Sequence, residues 1–277
     1  MPDFFQRQFW VTPPPANRGE VDLSGKTAIV TEADSSLGLE CARQLCELGI
    51  SRLILAVSDK QIPKRSGLEA WELDYPSYES ITSFADHARE LDRLDIFINN
   101  ADMFKKGFAI NPSTGHEEMV QFNYLSPTLL MLLILPIMQD KNPRGCSRGR
   151  LVNVSYEQAS CTRLKRLFGR RSSPLLAELD DEVEFNQQSH YRTTKLLGKL
   201  FLAELVRHVP PSVAILNTAG PGLPRGSDGS LAGFFRGMVD RLFARTADVG
   251  ARVVTDAAVK HGVESHGRYL ADGEIQE

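Results

Sequence analysis

Tyr191 and Lys195 are the residues of this chain best suited to move a proton. Four positions apart on a helix, they share one face, a single turn from each other. A lysine ammonium beside a phenol stabilises phenolate and helps a tyrosine cycle its proton near neutral pH. The same spacing also occurs in surface pairs that do no chemistry, so the chain around it has to supply a site. His190, immediately before, either joins a proton relay or lies in solvent beside a helix N-cap, and the solvent position is the simpler expectation.

The elements that would position this pair alternate along the chain. Apolar runs rich in strand formers recur at Thr27–Thr31, Arg52–Val57, Ala70–Leu73, Leu94–Ile98, Arg150–Val154 and Ser212–Asn217. Helical spacing marks Leu37–Leu48, Ser80–Glu90, Glu117–Met138 and Tyr191–His208. Strand–helix alternation predicts one doubly wound α/β domain, a parallel sheet with helices on both faces. Residues 1–22 read as an extended arm, because Pro13 to Pro15 forbid a helix there, and the domain spans 23–277. Ten residues join Val57 to Leu68 and include Pro63 and Gly67, which predicts an irregular strap instead of a crossover helix.

Composition narrows the class. The net charge of −3 and pI near 6.1 argue against nucleic acid as a partner. Four cysteines show neither metal-ligand spacing nor a disulfide framework, which fits a reducing, cytoplasmic setting. The N-terminus lacks the pattern of a secretory signal, and Leu129–Met138 is too short an apolar run to span a bilayer. The basic cluster Arg163, Lys165, Arg166, Arg170 and Arg171 has no aromatic interleaving and reads as a solvated loop. Gln8 to Trp10 either cover a groove or dock on a partner subunit.

Landmarks at the right separations around Tyr191 and Lys195 resemble the short-chain dehydrogenase/reductase family from about Leu23 to Leu270. Asp22–Thr31 (DLSGKTAIVT) resembles its first strand, Ile98–Ala101 its Asn-Asn-Ala-Gly turn, and Arg150–Ser155 the strand leading to its catalytic serine. Pro221-Gly222 matches the Pro-Gly after the sixth strand. Ala244–Arg252 and Glu264–Leu270 are similar to retinol-dehydrogenase-like members from filamentous fungi, a branch that often serves secondary metabolism.

The resemblance implies a Rossmann-type sheet of about seven strands, a hydrophobic small-molecule substrate, a homodimer and NADP(H) as cofactor. It implies Tyr191, Lys195 and Asn123 as catalytic residues. The cofactor would meet Thr31, Ser36, Leu37, Gly38, Ser58, Asp74, Asn100, Ala101, Lys195, Pro221 and Gly222, with Asp74 near adenine. A substrate lid would fall at about 223–246, where Phe234, Phe235, Met238, Leu242 and Phe243 recur at helical spacing, a pattern that core packing explains equally well.

Departures concentrate on the cofactor path. The family's Thr-Gly-x-x-x-Gly-x-Gly reads Thr31-Glu32-Ala33-Asp34-Ser35-Ser36-Leu37-Gly38. The lost glycines are those that make the tight turn and admit the pyrophosphate. A carboxylate about 5 Å from a phosphate costs about 3 kcal/mol at an effective dielectric near 20, roughly a hundredfold in affinity. Carboxylates pointing into solvent would be screened instead. Val57 and Ser58 carry neither the acid that selects NAD nor the arginine that favours NADP, and Asp102 replaces a glycine near the nicotinamide ribose. The catalytic serine aligns with Tyr156, leaving Ser155 or Ser160 as substitutes out of register.

Three functions follow: NADP(H)-dependent oxidoreduction with weak cofactor binding, a dinucleotide-independent cyclase, isomerase or dehydratase on the same pocket, or an inert scaffold. The intact Tyr191, Lys195 and Asn123 disfavour the scaffold.

Overall fold

Runs rich in aliphatic residues make the centre of the molecule. The computed structural model describes residues 11–58, 67–142, 148–155, 174–222 and 245–276. Eight strands form one sheet: β1 (Thr27–Thr31), β2 (Arg52–Val57), β3 (Leu68–Glu72), β4 (Ile96–Asn99), β5 (Gly149–Val154), β6 (Ala214–Gly220), β7 (Tyr269–Ala271) and β8 (Glu274–Gln276). Their order is β3-β2-β1-β4-β5-β6-β7-β8. Every pairing is parallel except the last, in which β8 returns antiparallel beside β7. The chain therefore adds an eighth strand to the expected seven. Asp272 and Gly273 turn the chain between β7 and β8 with positive φ, the backbone a tight hairpin needs.

Among the described residues the helices are α1 (Ser36–Glu47), α2 (Tyr78–Ala88), α3 (Glu118–Lys141), α4 (Leu175–Leu179), α5 (Gln187–Val206) and α6 (Ala247–Val259). Strand residues alternate between two cores, as a period of two requires. Ile29, Ile54, Phe97 and Leu216 meet α2, α3 and α5 on one face. Ala28, Val30, Leu55 and Ile98 meet α1 and α6 on the other. α3 is long and apolar enough to cross a membrane by length and composition, a property its apolar centre alone does not have. Within its most apolar window 61% is buried in the protein, as in a core helix.

Some boundaries differ from the sequence expectations, and two of the shifts matter. α5 starts four residues before Tyr191, because Asn186 caps it by accepting from Ser189 N at 3.0 Å. Tyr191 thus lies in the second turn, with a full turn of helix holding it. α3 is not a uniform helix: Gln121–Leu125 is a widened π turn. Pro127 has no N–H to close on the Asn123 carbonyl four residues back, and the turn opens there. Asn123 occupies that irregular turn.

β2 and β3 pair in parallel register as expected, although the residues joining them, 59–66, fall outside the described ones. Along the N-terminal arm, Val11 O accepts from Arg245 at 3.0 Å and Pro13 O from Arg252 at 3.3 Å, which lays residues 11–13 against the first half of α6.

Candidate active site

Strand β1 ends at Thr31, and the chain must turn sharply to enter α1. Glu32 makes that turn at φ 46, the left-handed region where a glycine is unstrained. A side chain here costs on the order of 1 kcal/mol. The turn has kept its geometry without its glycine. Ser35 caps α1 by accepting from Gly38 N at 3.1 Å. Gly38 is the position that admits nothing larger, since a Cβ would lie 2.2 Å from Glu32 O. Its expected role in helix–strand packing holds.

The Asn-Asn-Ala turn after β4 is stitched to this loop. Asn100 N donates to Thr31 Oγ1 at 2.9 Å, and Asn100 Nδ2 donates to Ser35 Oγ at 3.1 Å. Just beyond, four main-chain groups are held by side chains. Lys195 Nζ donates to Ala101 O at 2.6 Å. Asp102 N donates to Glu32 Oε2 at 2.9 Å. Met103 N donates to Asn123 Oδ1 at 2.7 Å, and Asn123 Nδ2 donates to Met103 O at 2.8 Å. Asn123 is thus a two-ended clamp on this loop, and Asn123 Nδ2 also reaches Thr194 Oγ1 at 3.3 Å.

The clamped loop presents Asp102 to the catalytic pair. Tyr191 Oη donates to Asp102 Oδ1 at 2.8 Å, and Lys195 Nζ lies 2.8 Å from the same oxygen. Lys195 Nζ sits 5.7 Å from the Tyr191 ring centroid, and Phe104 packs edge-on against that ring at 5.3 Å. Only 5% of the Lys195 side chain is exposed, against 48% of Asp102, so the carboxylate is the open end of the group. The expected Tyr191–Lys195 pair is therefore a three-membered cluster. The sequence marked Asp102 as a replaced glycine but could not show it on the phenol, 89 positions away.

The cluster opens on a cleft of about 200 Å³ lined by Glu32, Ser36, Leu37, Asn100, Tyr191 and Lys195, with Ser155, Pro221, Gly222, Arg245 and Thr246 completing it. Ser155 is buried, and its hydroxyl has no hydrogen-bond partner, a donor left for whatever enters. Thr31 is buried behind the loop as a structural acceptor. Ser58 and Asp74 lie past the ends of β2 and β3, outside the cleft lining. Ser58 Oγ donates to Asp34 Oδ2 at 3.4 Å, and Asp74 N donates to Ser80 Oγ at 2.9 Å. Tyr156, Ser160, the basic cluster, residues 223–244 of the lid region and Gln8–Trp10 fall outside the described residues.

His190 overturns its expected place. It is buried, with Nε2 3.4 Å from Glu117 Oε2, and Phe185 packs on its ring. Phe185 on one side and Glu117 on the other take the place of the solvent that the sequence suggested. No group of three or more His, Cys, Asp or Glu among the described residues could hold a metal.

With this geometry in view, the comparisons with known proteins agree on one family. Residues 26–163 match the model of the short chain dehydrogenases. Short-chain dehydrogenase fogG of Aspergillus ruber is 39% identical over 98% of this chain and 83% of its own length. Short chain dehydrogenase/reductase mfmJ of Annulohypoxylon moriforme is 36% identical over 98% and 83%. Among solved structures, the aldohexose dehydrogenase of Thermoplasma acidophilum superposes with a TM-score of 0.64, 17% identity, and coverage of 92% and 94%. A metagenomic short-chain oxidoreductase in complex with NADP gives 0.58, 20% identity, and coverage of 88% and 94%. The chain belongs to the short-chain dehydrogenase/reductase family, an enzyme family of oxidoreductases.

Electrostatics set the cleft apart. Burial pushes the Glu32 carboxyl up to about 7; the Asp102 N–H opposes this, while the Asp102 charge adds to it. A carboxyl whose folded value exceeds its unfolded 4.5 stabilises the fold most below that unfolded value. The advantage is lost as pH rises toward 7. Glu32→Gln removes this titration, so its stability relative to wild type should rise between pH 5 and 8, by about 3 kcal/mol at most. Urea unfolding of both proteins across that range checks it, and parallel curves would refute the assignment.

Proposed function

We propose that the protein interconverts a carbonyl and an alcohol on a hydrophobic small molecule of fungal secondary metabolism, with NADP(H) as a weakly bound hydride carrier. The observation that carries this reading is Tyr191 Oη at the cleft, 2.8 Å from Asp102 Oδ1, with the Lys195 ammonium beside it. The fungal relatives bear dehydrogenase names, and the metagenomic structure contains NADP.

The backbone framework fits a dinucleotide. The left-handed turn at Glu32, the close approach at Gly38 and the open N-terminus of α1 at Ser36 and Leu37 are all in place. Ser36 and Leu37 would hold the pyrophosphate, Asn100, Ala101 and Lys195 the nicotinamide ribose, and Pro221 with Gly222 the ring. A dinucleotide held there would supply the hydride chemistry. The charges work against it, since Glu32 and Asp102 line the same cleft. Tyr191 gives its proton to the forming alkoxide, Lys195 stabilises the resulting phenolate, and the Ser155 hydroxyl orients the carbonyl oxygen. Asn123 contributes by holding Met103, and through it Asp102.

Asp102 on Tyr191 also favours a second reading, proton transfer without hydride, as in a cyclase, isomerase or dehydratase. For assembly we propose a homodimer. Leu132 on α3 and Leu200 on α5 are exposed at 47% and 45%, and they would be covered by pairing those helices across a two-fold axis. Light scattering should give twice the chain mass of 30.8 kDa, and the single-chain mass would refute pairing.

NADPH should bind more weakly than low micromolar, and Glu32→Gly with Ser36→Gly should tighten it about tenfold or more. Calorimetric titration decides this, and tight binding by the wild type would overturn the electrostatic reading. Tyr191→Phe keeps the ring and should lower turnover about a hundred- to ten-thousand-fold with near-native stability. A folded variant that retains most activity would remove Tyr191 from the mechanism.

A further inference from the structure

The geometry points to Asp102 as a second catalytic group, a carboxylate base that with Tyr191 as acid enolises a hydrophobic ketone in this cleft without a dinucleotide. This goes beyond hydride transfer. It deepens the proton-transfer reading and shares with the oxidoreduction reading the cleft, Tyr191 as the acid, Lys195 beside the phenolate and the Ser155 donor.

Three observations support it. Asp102 is positioned with unusual firmness for a loop residue, its own N–H bound by Glu32 and its neighbours held by Lys195 and Asn123. Its carboxylate is still half-exposed toward the cleft, so a substrate carbon can reach it. The cleft also holds the buried, unpartnered hydroxyl of Ser155, a donor suited to a carbonyl or enol oxygen. A base and an acid whose oxygens are 2.8 Å apart can act on neighbouring atoms of one ketone, the α-carbon and the carbonyl oxygen.

The step balances without a further reactant. Asp102 takes the α-proton, and the C–H electron pair becomes the C=C bond of the enol. The carbonyl π pair takes the Tyr191 proton, leaving a phenolate beside Lys195 and a neutral Asp102. The proton then passes from Asp102 to the phenolate across their hydrogen bond. This return restores both groups. In the reverse direction the pair returns a proton to carbon, which gives isomerisation when a different carbon receives it.

The test uses benzylacetone, a hydrophobic ketone, in heavy water with the full-length protein and no cofactor, following α-proton loss by NMR. The wild type should exchange the α-protons well above the buffer rate, and added NADPH should not accelerate it. Asp102→Asn, checked for folding by circular dichroism, should lose about a hundredfold or more of that rate. Tyr191→Phe should lose a comparable factor. Asp102→Glu, which keeps the base, should recover part of the rate, as a merely structural role for Asp102 would not predict. Wild-type exchange no faster than Asp102→Asn, or full exchange by Asp102→Asn, overturns the proposal. NADPH oxidation with a reducible carbonyl is read separately, so failure of the oxidoreduction reading would leave the exchange result standing.

Discussion

A lysine ammonium that is almost wholly buried has to be paired, and much of this site follows from how Lys195 meets that requirement. It takes a main-chain carbonyl, Ala101 O, and a carboxylate oxygen of Asp102, consecutive residues of the loop after β4. The lysine thereby anchors the loop, and the loop places Asp102 on the Tyr191 hydroxyl. A glycine at position 102 could have supplied no carboxylate. Lys195 would then have kept for a ligand the N–H that Asp102 now takes. One side chain has changed the site from a cation awaiting a ligand into an internally neutralised acid–base cluster.

The same loop explains how the glycine-poor turn after β1 survives. The backbone at Glu32 remains left-handed, as the close packing of Gly38 against Glu32 O demands. The strain of a side chain there is offset by a use for it, because Glu32 accepts the Asp102 N–H and becomes part of the clamp. Burial that raises its proton affinity also softens its repulsion toward Asp102 near neutral pH. The cofactor loop and the catalytic loop, separate in function in the family's pattern, are here tied to each other by a carboxylate.

Asn123 shows how a retained residue can carry a different load. Pro127 opens a π turn around it, and its amide then satisfies both main-chain groups of Met103. An alanine there would leave two part-buried main-chain groups without these partners and free the loop that presents Asp102. Its place in this chain is to position, and the group it positions is the one the family's pattern lacks.

The sequence by itself determined the sheet, since buried parallel strands must be aliphatic runs and their period sorts residues to two faces. It also determined the Tyr191–Lys195 face, because four-residue spacing is a local property of any helix, and the necessity of Gly38, because a lost glycine beside a kept one is legible as a pattern. The eighth strand escaped it: Glu274–Gln276 is three residues long, too short for a periodic signal, and forms because the turn at Asp272 and Gly273 lays it on β7. The burial of His190 escaped it as well, since Phe185 and, from 73 positions away, Glu117 pack on the ring. Above all, the Asp102 contact with Tyr191 and Lys195 was decided only by the tertiary structure. It joins the end of β4 and the start of α5, which no periodicity relates, and packing alone brings a phenol and a buried ammonium each to 2.8 Å from one carboxylate oxygen.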